Sequence, residues 1–375
     1  MLKLAHLSDP HLPLPAQVDW RDLMNKRMTG YVSWRRHRRS VHDPRVLAAL
    51  TADLKAIQPD HTVVTGDLTN LALPAEFDHA IDWLAKLGKP EQVSVIPGNH
   101  DAYIEMPWSQ TIGRLAAYMQ QNDGELKGEA SSFPFVRKIG RIAVVGVSSA
   151  IPTRWFSAAG MIGQAQLVRL RMVLKELGEE GYFRTVLVHH PPIDGSARVR
   201  KQLRDGKGFR EVIADAGAEL VLHGHNHRFD QGEVATPLGR APVIGVPSAS
   251  AWPRHGLKPA AYHVYRIGGT PDGWTIRMDV RRFDRKSRRF VAAEGQSFTV
   301  PASMVAAAAP ESTVLGLHQR RRGEPGHRRF TATGRKLEGH APCQPHAIRP
   351  CSASNIRISW SGISRNGVSP FGAIR

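Results

Sequence analysis

The chain has 375 residues, with 51 Lys+Arg against 33 Asp+Glu and a formal net charge of +18. With 41% hydrophobic and 22% charged residues it can bury a sizeable core, which excludes disorder over most of its length. Two cysteines exclude a disulfide scaffold and a paired-cysteine zinc site, and no apolar run approaches the ~20 residues of a membrane-spanning helix.

Leu2 to Leu7 reads as a strand. Residues 13–43 then form a long basic and aromatic segment. Pro44 to Ile57 reads as a helix with Asp43 as N-cap and Pro44 in its first position. His61 to Thr65 is a strand, Pro74 to Leu87 a helix closed by Gly88, and Gln92 to Ile96 a strand stopped by Pro97-Gly98. Trp108 to Gln121 reads as helical. Phe133 to Lys138 and Arg141 to Ser148 make a hairpin around Gly140. Gln164 to Leu177 is a helix ending at Gly178. Strands at Arg184 to Val188 and Glu219 to Leu222 flank a helix near Phe209 to Ala216. After Gly224 the pattern turns to strands: Gly232 to Ala235, Ala241 to Val246, Ala261 to Ile267 and Trp274 to Arg281. Strand and helix alternate first and strands follow, which suggests an α/β sandwich with mixed sheets over residues 1–305. Arg281 to Arg289 reads as a solvated strand pair and turn.

Residues 306–375 differ in kind. They hold 11 basic and 3 acidic side chains, both cysteines, and only 12 Val, Ile, Leu and Phe. Neither helical nor strand periodicity is visible, so this tail is expected to be disordered and is set apart from the fold. Two readings of it stay open: a nucleic-acid-binding arm, and the product of a frame-shifted GC-rich gene.

Polar residues of metal-ligand type stand at five strand ends. They are Asp9-Pro10-His11, Gly66-Asp67, Gly98-Asn99-His100-Asp101, His189, and Gly224-His225-Asn226-His227. In open α/β sheets, sites assemble at the carboxyl ends of strands. Neighbouring glycines let the backbone turn sharply there. Taken singly, each motif has an ordinary structural reading: Gly-Asp is a turn, and a histidine before Pro-Pro is a satisfied strand end. Taken together and in this order, chance is a poor account. Every donor is oxygen or nitrogen, with no thiolate, which suits Mn, Fe, Zn or Co rather than a closed structural zinc site.

The ordered set D-x-H, G-D, G-N-H-[DE], H and G-H-x-H resembles the calcineurin-like metallophosphoesterase superfamily over roughly residues 1–290. Leu7 to Leu12 and Gly66 to Asn70 are similar to its class III cyclic-nucleotide phosphodiesterase branch. The resemblance implies a four-layer αββα sandwich, two mixed β-sheets flanked by helices. It implies two transition-metal ions, divalent or trivalent. Asp9, His11 and His227 would hold the first, Asn99, His189 and His225 the second, and Asp67 would bridge them. His189 is preferred to His190 because the family ligand sits two residues before the proline. His100 would face the phosphate and either stabilise it or protonate the leaving group, with Asp101 orienting His100. Two such metals clamp the attacking and leaving oxygens and make hydroxide available near neutral pH.

The expected activity is dinuclear-metal-dependent hydrolysis of a small anionic phosphodiester, with 3′,5′-cyclic nucleotides such as cAMP as the first substrate class. Lipid-linked or nucleotide-sugar phosphodiesters are the alternative, and nucleic acid ranks behind both. From another class comes a regulatory binding protein on a phosphoesterase fold, against which the intact ligand set argues. A cytoplasmic location is expected, because a cleaved signal peptide of ~15–30 residues would remove Asp9 and His11. The oligomeric state stays open.

Residues 13–43 contain Trp20, Arg21, Lys26, Arg27, Tyr31, Trp34, Arg35, Arg36, Arg38 and Arg39. Loops this long are usually functional or disordered. The segment leaves directly from Asp9 and His11, so it is expected to hang over the site. Three readings stand: a cap for an anionic substrate, a solvated helical excursion whose aromatics pack on the sheet, and a peripheral membrane contact.

Overall fold

Strand β1 (Leu2–Leu7) pairs in parallel with β2 (His61–Val64), and β2 with β3 (Val93–Val95). Parallel neighbours need crossovers. Helices α3 (Pro44–Ile57) and α4 (Pro74–Leu87) supply them. As expected, the Asp43 carboxylate accepts the Arg45 N–H and Pro44 opens the first turn of α3. The buried Glu76 of α4 accepts the backbone N–H groups of Asn70, Leu71 and Leu73. That single carboxylate pins the loop after β2 to the start of the helix. The computed structural model describes residues 1–119, 133–253, 258–270 and 273–301.

The first sheet continues antiparallel from β1 through β10 (Ala261–Thr270), β11 (Gly273–Asp284) and β12 (Arg289–Pro301), in the order β12-β11-β10-β1-β2-β3. The second sheet runs β4 (Phe135–Ile139), β5 (Ile142–Gly146), β6 (Phe183–Leu187), β7 (Leu220–His223), β9 (Gly239–Gly245) and β8 (Asp230–Thr236). Helices α5 (Gln164–Glu179) and α6 (Gly206–Ala216) cover its outer face. In β6, Phe183 and Leu187 join the core between the sheets, while Val186 packs beneath α5 and α6. A period of two with both faces buried is what a central strand of a sandwich requires. The architecture is therefore α/β, four layers αββα, as expected.

Three elements differ from expectation. Helix α5 runs through Gly178 to Glu179. Residues 108–119 form two 3₁₀ pieces, Trp108–Gln110 and Ile112–Met119, and the rest of the expected helix lies outside the described residues. Strand β12 was not expected beyond a turn after Arg281. It is an edge strand whose side chains are mostly exposed, so it carries little apolar alternation to read. The tail from 306 to 375 lies outside the described residues. No described helix is long and apolar enough to cross a membrane.

Residues 13–43 fold into helical pieces: a 3₁₀ turn Trp20–Leu23, α1 (Arg27–Ser33), a π-helical turn Trp34–Arg38 and the short α2 (Arg39–Val41). Leu14 and Leu23 form a satellite core with Leu71 and Leu73 of the loop after β2. Arg27 is buried and donates to the carbonyls of Leu71 (2.8 Å) and Ala72 (2.6 Å).

Candidate metal centre

The sheet ladder does not stop where β1 and β2 end. Asp9 N–H donates to the Gly66 carbonyl (3.0 Å), His11 N–H to that of Asp67 (3.0 Å) and Leu12 N–H to that of Leu68 (2.9 Å). Along this seam the backbone turns left-handed at Asp9 (φ 52°), His11 (40°) and Asp67 (56°), and again at His225 (69°) and His227 (51°). Five of the seven predicted ligands thus occupy a region that non-glycine residues rarely enter. Asp and His tolerate it better than most, and such outliers concentrate at functional sites. Two glycines permit the approach of neighbouring loops. A Cβ on Gly98 would lie 2.2 Å from Asp67 Oδ1, and one on Gly224 would lie 1.8 Å from Ser8 Oγ.

The seven residues meet in two groups joined by one carboxylate. Asp67 Oδ2 stands 3.8 Å from His11 Nε2 and 3.5 Å from His189 Nε2. On one side His227 Nε2 lies 3.1 Å from Asp9 Oδ1 and 3.2 Å from His11 Nε2. On the other, His189 Nε2 lies 3.3 Å from Asn99 Oδ1 and 3.2 Å from His225 Nδ1. His11 Nδ1 donates to the Thr69 carbonyl (3.2 Å) and His189 Nδ1 to that of Thr65 (2.6 Å). Each of these rings is therefore oriented with Nε2 facing the cluster, the outer-sphere arrangement common to metal-ligating histidines.

The donor set fits cations. Asp9 Oδ1 and His225 Nε2 are buried without a hydrogen-bond partner. Buried polar atoms left like this cost free energy unless a further partner satisfies them. Burial, with neighbouring imidazoles, holds His11 and His225 well below the ordinary histidine value, so both are neutral, the ligating form. Burial pushes His189 down as well, but the Asp67 charge outweighs it and raises the ring to about 9. A proton there occupies the place where Asp67 favours a cation. His190 sits beside His189 and His225, yet both its nitrogens are engaged, by Ser149 Oγ (2.8 Å) and the Ala158 carbonyl (3.2 Å).

His100 donates from Nδ1 to the Asn70 carbonyl (2.7 Å) and stacks on Tyr103, with centroids 5.6 Å apart and planes at 17°. The expected contact from Asp101 to this ring is replaced by that carbonyl. Asp101 instead accepts from Gly98 N (2.8 Å), Thr69 N (2.9 Å) and Thr69 Oγ1 (3.0 Å), tying two ligand loops together. Burial and then the Arg38 charge lower His100 to about 3.

Two residues at the site were not singled out from sequence. Arg38 Nη1 lies 2.9 and 3.0 Å from the His100 ring nitrogens, and its guanidinium forms no ion pair among the described residues. The His42 ring lies 4.4 Å from that of His11 and 5.6 Å from that of His227. Their spacing of four residues, one helical turn, was the available signal. Arg35, Arg36 and Arg39 are exposed, and nothing in the run of arginines marked which one turns inward.

The sequence model of the calcineurin-like phosphoesterase family matches residues 2–229. A probable cyclic nucleotide phosphodiesterase from Synechococcus sp. is 29% identical over 205 residues, covering 53% of this chain and 70% of its own length. A dimetal phosphatase from Danio rerio is similar in fold, with a TM-score of 0.51 and 14% identity over 80% of this chain and 98% of its own.

Proposed function

The chain belongs to the calcineurin-like phosphoesterase family and is a metal-dependent phosphoesterase; from that premise we propose that it hydrolyses a small anionic phosphodiester, with 3′,5′-cyclic nucleotides as the first substrate class. The observation that carries this reading is the position of Asp67 Oδ2 between two groups of oxygen and nitrogen donors. Asp9, His11 and His227 would hold one cation and Asn99, His189 and His225 the other, with Asp67 common to both. Mn, Fe, Zn and Co suit these ligands. When bound, such a pair supplies a nucleophile from water at neutral pH and neutralises charge on the phosphoryl oxygens.

The chain's own groups do the rest. The Thr65 and Thr69 carbonyls hold His189 and His11 in one tautomer. His227 is the partly exposed member of the set, so substrate enters past it. Arg38, without an ion-pair partner among the described residues, brings a cation to that entrance and meets the diester's negative charge. With Nδ1–H committed to Asn70, His100 keeps a lone pair on Nε2, and Arg38 Nη1 lies 2.9 and 3.0 Å from its two ring nitrogens. Burial and Arg38 both oppose a second proton on that ring. Of the two expected roles for His100, stabilising the phosphoryl group through Arg38 is therefore favoured over protonating the leaving oxygen.

Similarity to the probable cyclic nucleotide phosphodiesterase from Synechococcus sp. and the motifs at 7–12 and 66–70 support cyclic nucleotides. A second reading, a lipid-linked phosphodiester with peripheral membrane contact, is favoured by one surface feature. Trp20, Met24, Met28 and Val32 recur every four residues and are all exposed, beside exposed Arg35, Arg36 and Arg39. Apolar and cationic side chains arranged this way suit an anionic lipid interface. Hydrolysis of cAMP, a UDP-linked lipid, bis-p-nitrophenyl phosphate and single-stranded DNA with added Mn²⁺ tests both. Turnover of cAMP is expected. Turnover of the lipid but not of cAMP would establish the second reading, and metal binding without any turnover would make the chain a binding protein.

A further inference from the structure

We propose that His42 is an additional ligand of the cation held by Asp9, His11 and His227, supplied by the segment between β1 and α3. The inference rests on the two-cation reading above.

His42 is held from its backbone outward. It bridges to Ala251, while Trp252 N–H donates to the Val41 carbonyl (2.8 Å) and Asp43 N–H to that of Ser250 (3.0 Å). The residue is 9% exposed. One donor atom each from His11, His42 and His227 lies within 4.8 Å of the other two.

Ser250 Oγ lies 2.7 Å from His42 Nδ1 and accepts from it when the ring carries its proton there. His42 Nε2 then keeps its lone pair, and no hydrogen bond meets Nε2 among the described residues. Ser248 Oγ, 3.4 Å from Ser250 Oγ, donates to the carbonyl of Asp9 (2.8 Å), itself a predicted ligand.

His190 shows what a structural histidine looks like in this chain: both nitrogens are satisfied by the protein. His42 has one satisfied nitrogen and one open, beside two rings whose open nitrogens face the same cluster. Three imidazoles converge here, with His227 on the partly exposed side, and their donor atoms suit a cation among them. The segment that delivers His42 carries a π-helical turn at Trp34–Arg38, an irregularity frequent at functional sites.

The test is metal binding, independent of turnover. Metal-free wild type, His42→Ala, His42→Gln and Ser250→Ala are titrated with Zn²⁺ by calorimetry, and bound metal is counted by mass spectrometry. Wild type should take two equivalents. His42→Ala and His42→Gln should weaken one of them by ~10–100-fold and leave the other, and Ser250→Ala should weaken the same one less. Two equivalents at wild-type affinity in both His42 variants would overturn the proposal. A wild type that binds no metal would instead overturn the two-cation reading. If the His42 variants do not fold, crystals of Zn²⁺-loaded wild type decide. His42 Nε2 at ~2.0–2.1 Å from an ion supports ligation, and Nε2 beyond bonding distance of both ions refutes it.

Discussion

The strand-end loops and the 13–43 segment build the same site by different means. The loops are extensions of the two sheets. Their predicted ligands hang from a continued backbone ladder, from left-handed turns and beside glycines where a Cβ cannot fit. Local backbone geometry thus restricts which residues fit at several of these positions. The segment is an addition held by a few long-range anchors: Arg27 on the carbonyls of Leu71 and Ala72, the Leu14–Leu23 satellite core, and His42 on Ser250. It delivers Arg38 and His42 to the site while leaving Arg35, Arg36 and Arg39 exposed. Local rules made the first region readable as a motif. The second depends on contacts more than 40 residues away.

The largest effect should come from the carboxylate shared by both groups. Asp67→Ala is expected to lose both metals and all activity, since it removes the carboxylate oxygen that stands within 3.8 Å of His11 Nε2 and 3.5 Å of His189 Nε2. Retention of a single metal would show that the two groups are independent rather than joined through Asp67.

Next comes the cation from the segment. Arg38→Ala should lower kcat/KM by ~10²–10³, the scale of losing one preorganised charge-stabilising donor, with metal content unchanged. The triple variant of Arg35, Arg36 and Arg39 to Ala should change kcat/KM by no more than a few-fold for a soluble substrate. Equal losses in both variants would mean the segment acts through diffuse charge and not through one inward residue.

His100→Ala should bind both metals and lose ~10²-fold in turnover, by the same amount on p-nitrophenyl esters and on diesters with poor leaving groups. A deficit that shrinks with the good leaving group would restore His100 as the proton donor.

The smallest effect lies outside both regions. His61 and His263 are buried, mainly by desolvation lowered to about 3, and therefore neutral in the fold. The unfolded chain binds a proton on each ring below about pH 6.5, which the folded chain resists until near pH 3. Stability should be full above pH 6.5 and fall as the pH drops from there. Thermal unfolding between pH 7 and pH 4 should show a shallower decline for His263→Gln than for wild type. An unchanged slope would mean His263 is already charged in the folded protein.

Much of this protein was legible without coordinates. Alternation of apolar runs with capped amphipathic stretches determined the order of the strands through β11 and of helices α3 to α6 between them, because burial on both faces of a sandwich leaves few other patterns. The seven predicted ligands were assigned through the resemblance of the ordered motifs to a known family, and each of those motifs follows a strand. Where burial or chain direction did not impose a pattern, only the tertiary structure decided. Strand β12 has mostly exposed side chains, so no periodicity announced it. Asp101 looked like a partner for its neighbour His100, but its carboxylate serves four donors in three dimensions and the ring turns to the Asn70 carbonyl instead. Arg38 and His42 are one arginine among several and one histidine at a segment's end. Their direction depends on Arg27, Leu71 and Ser250, side chains and carbonyls that lie far apart in sequence and are brought together by the tertiary structure.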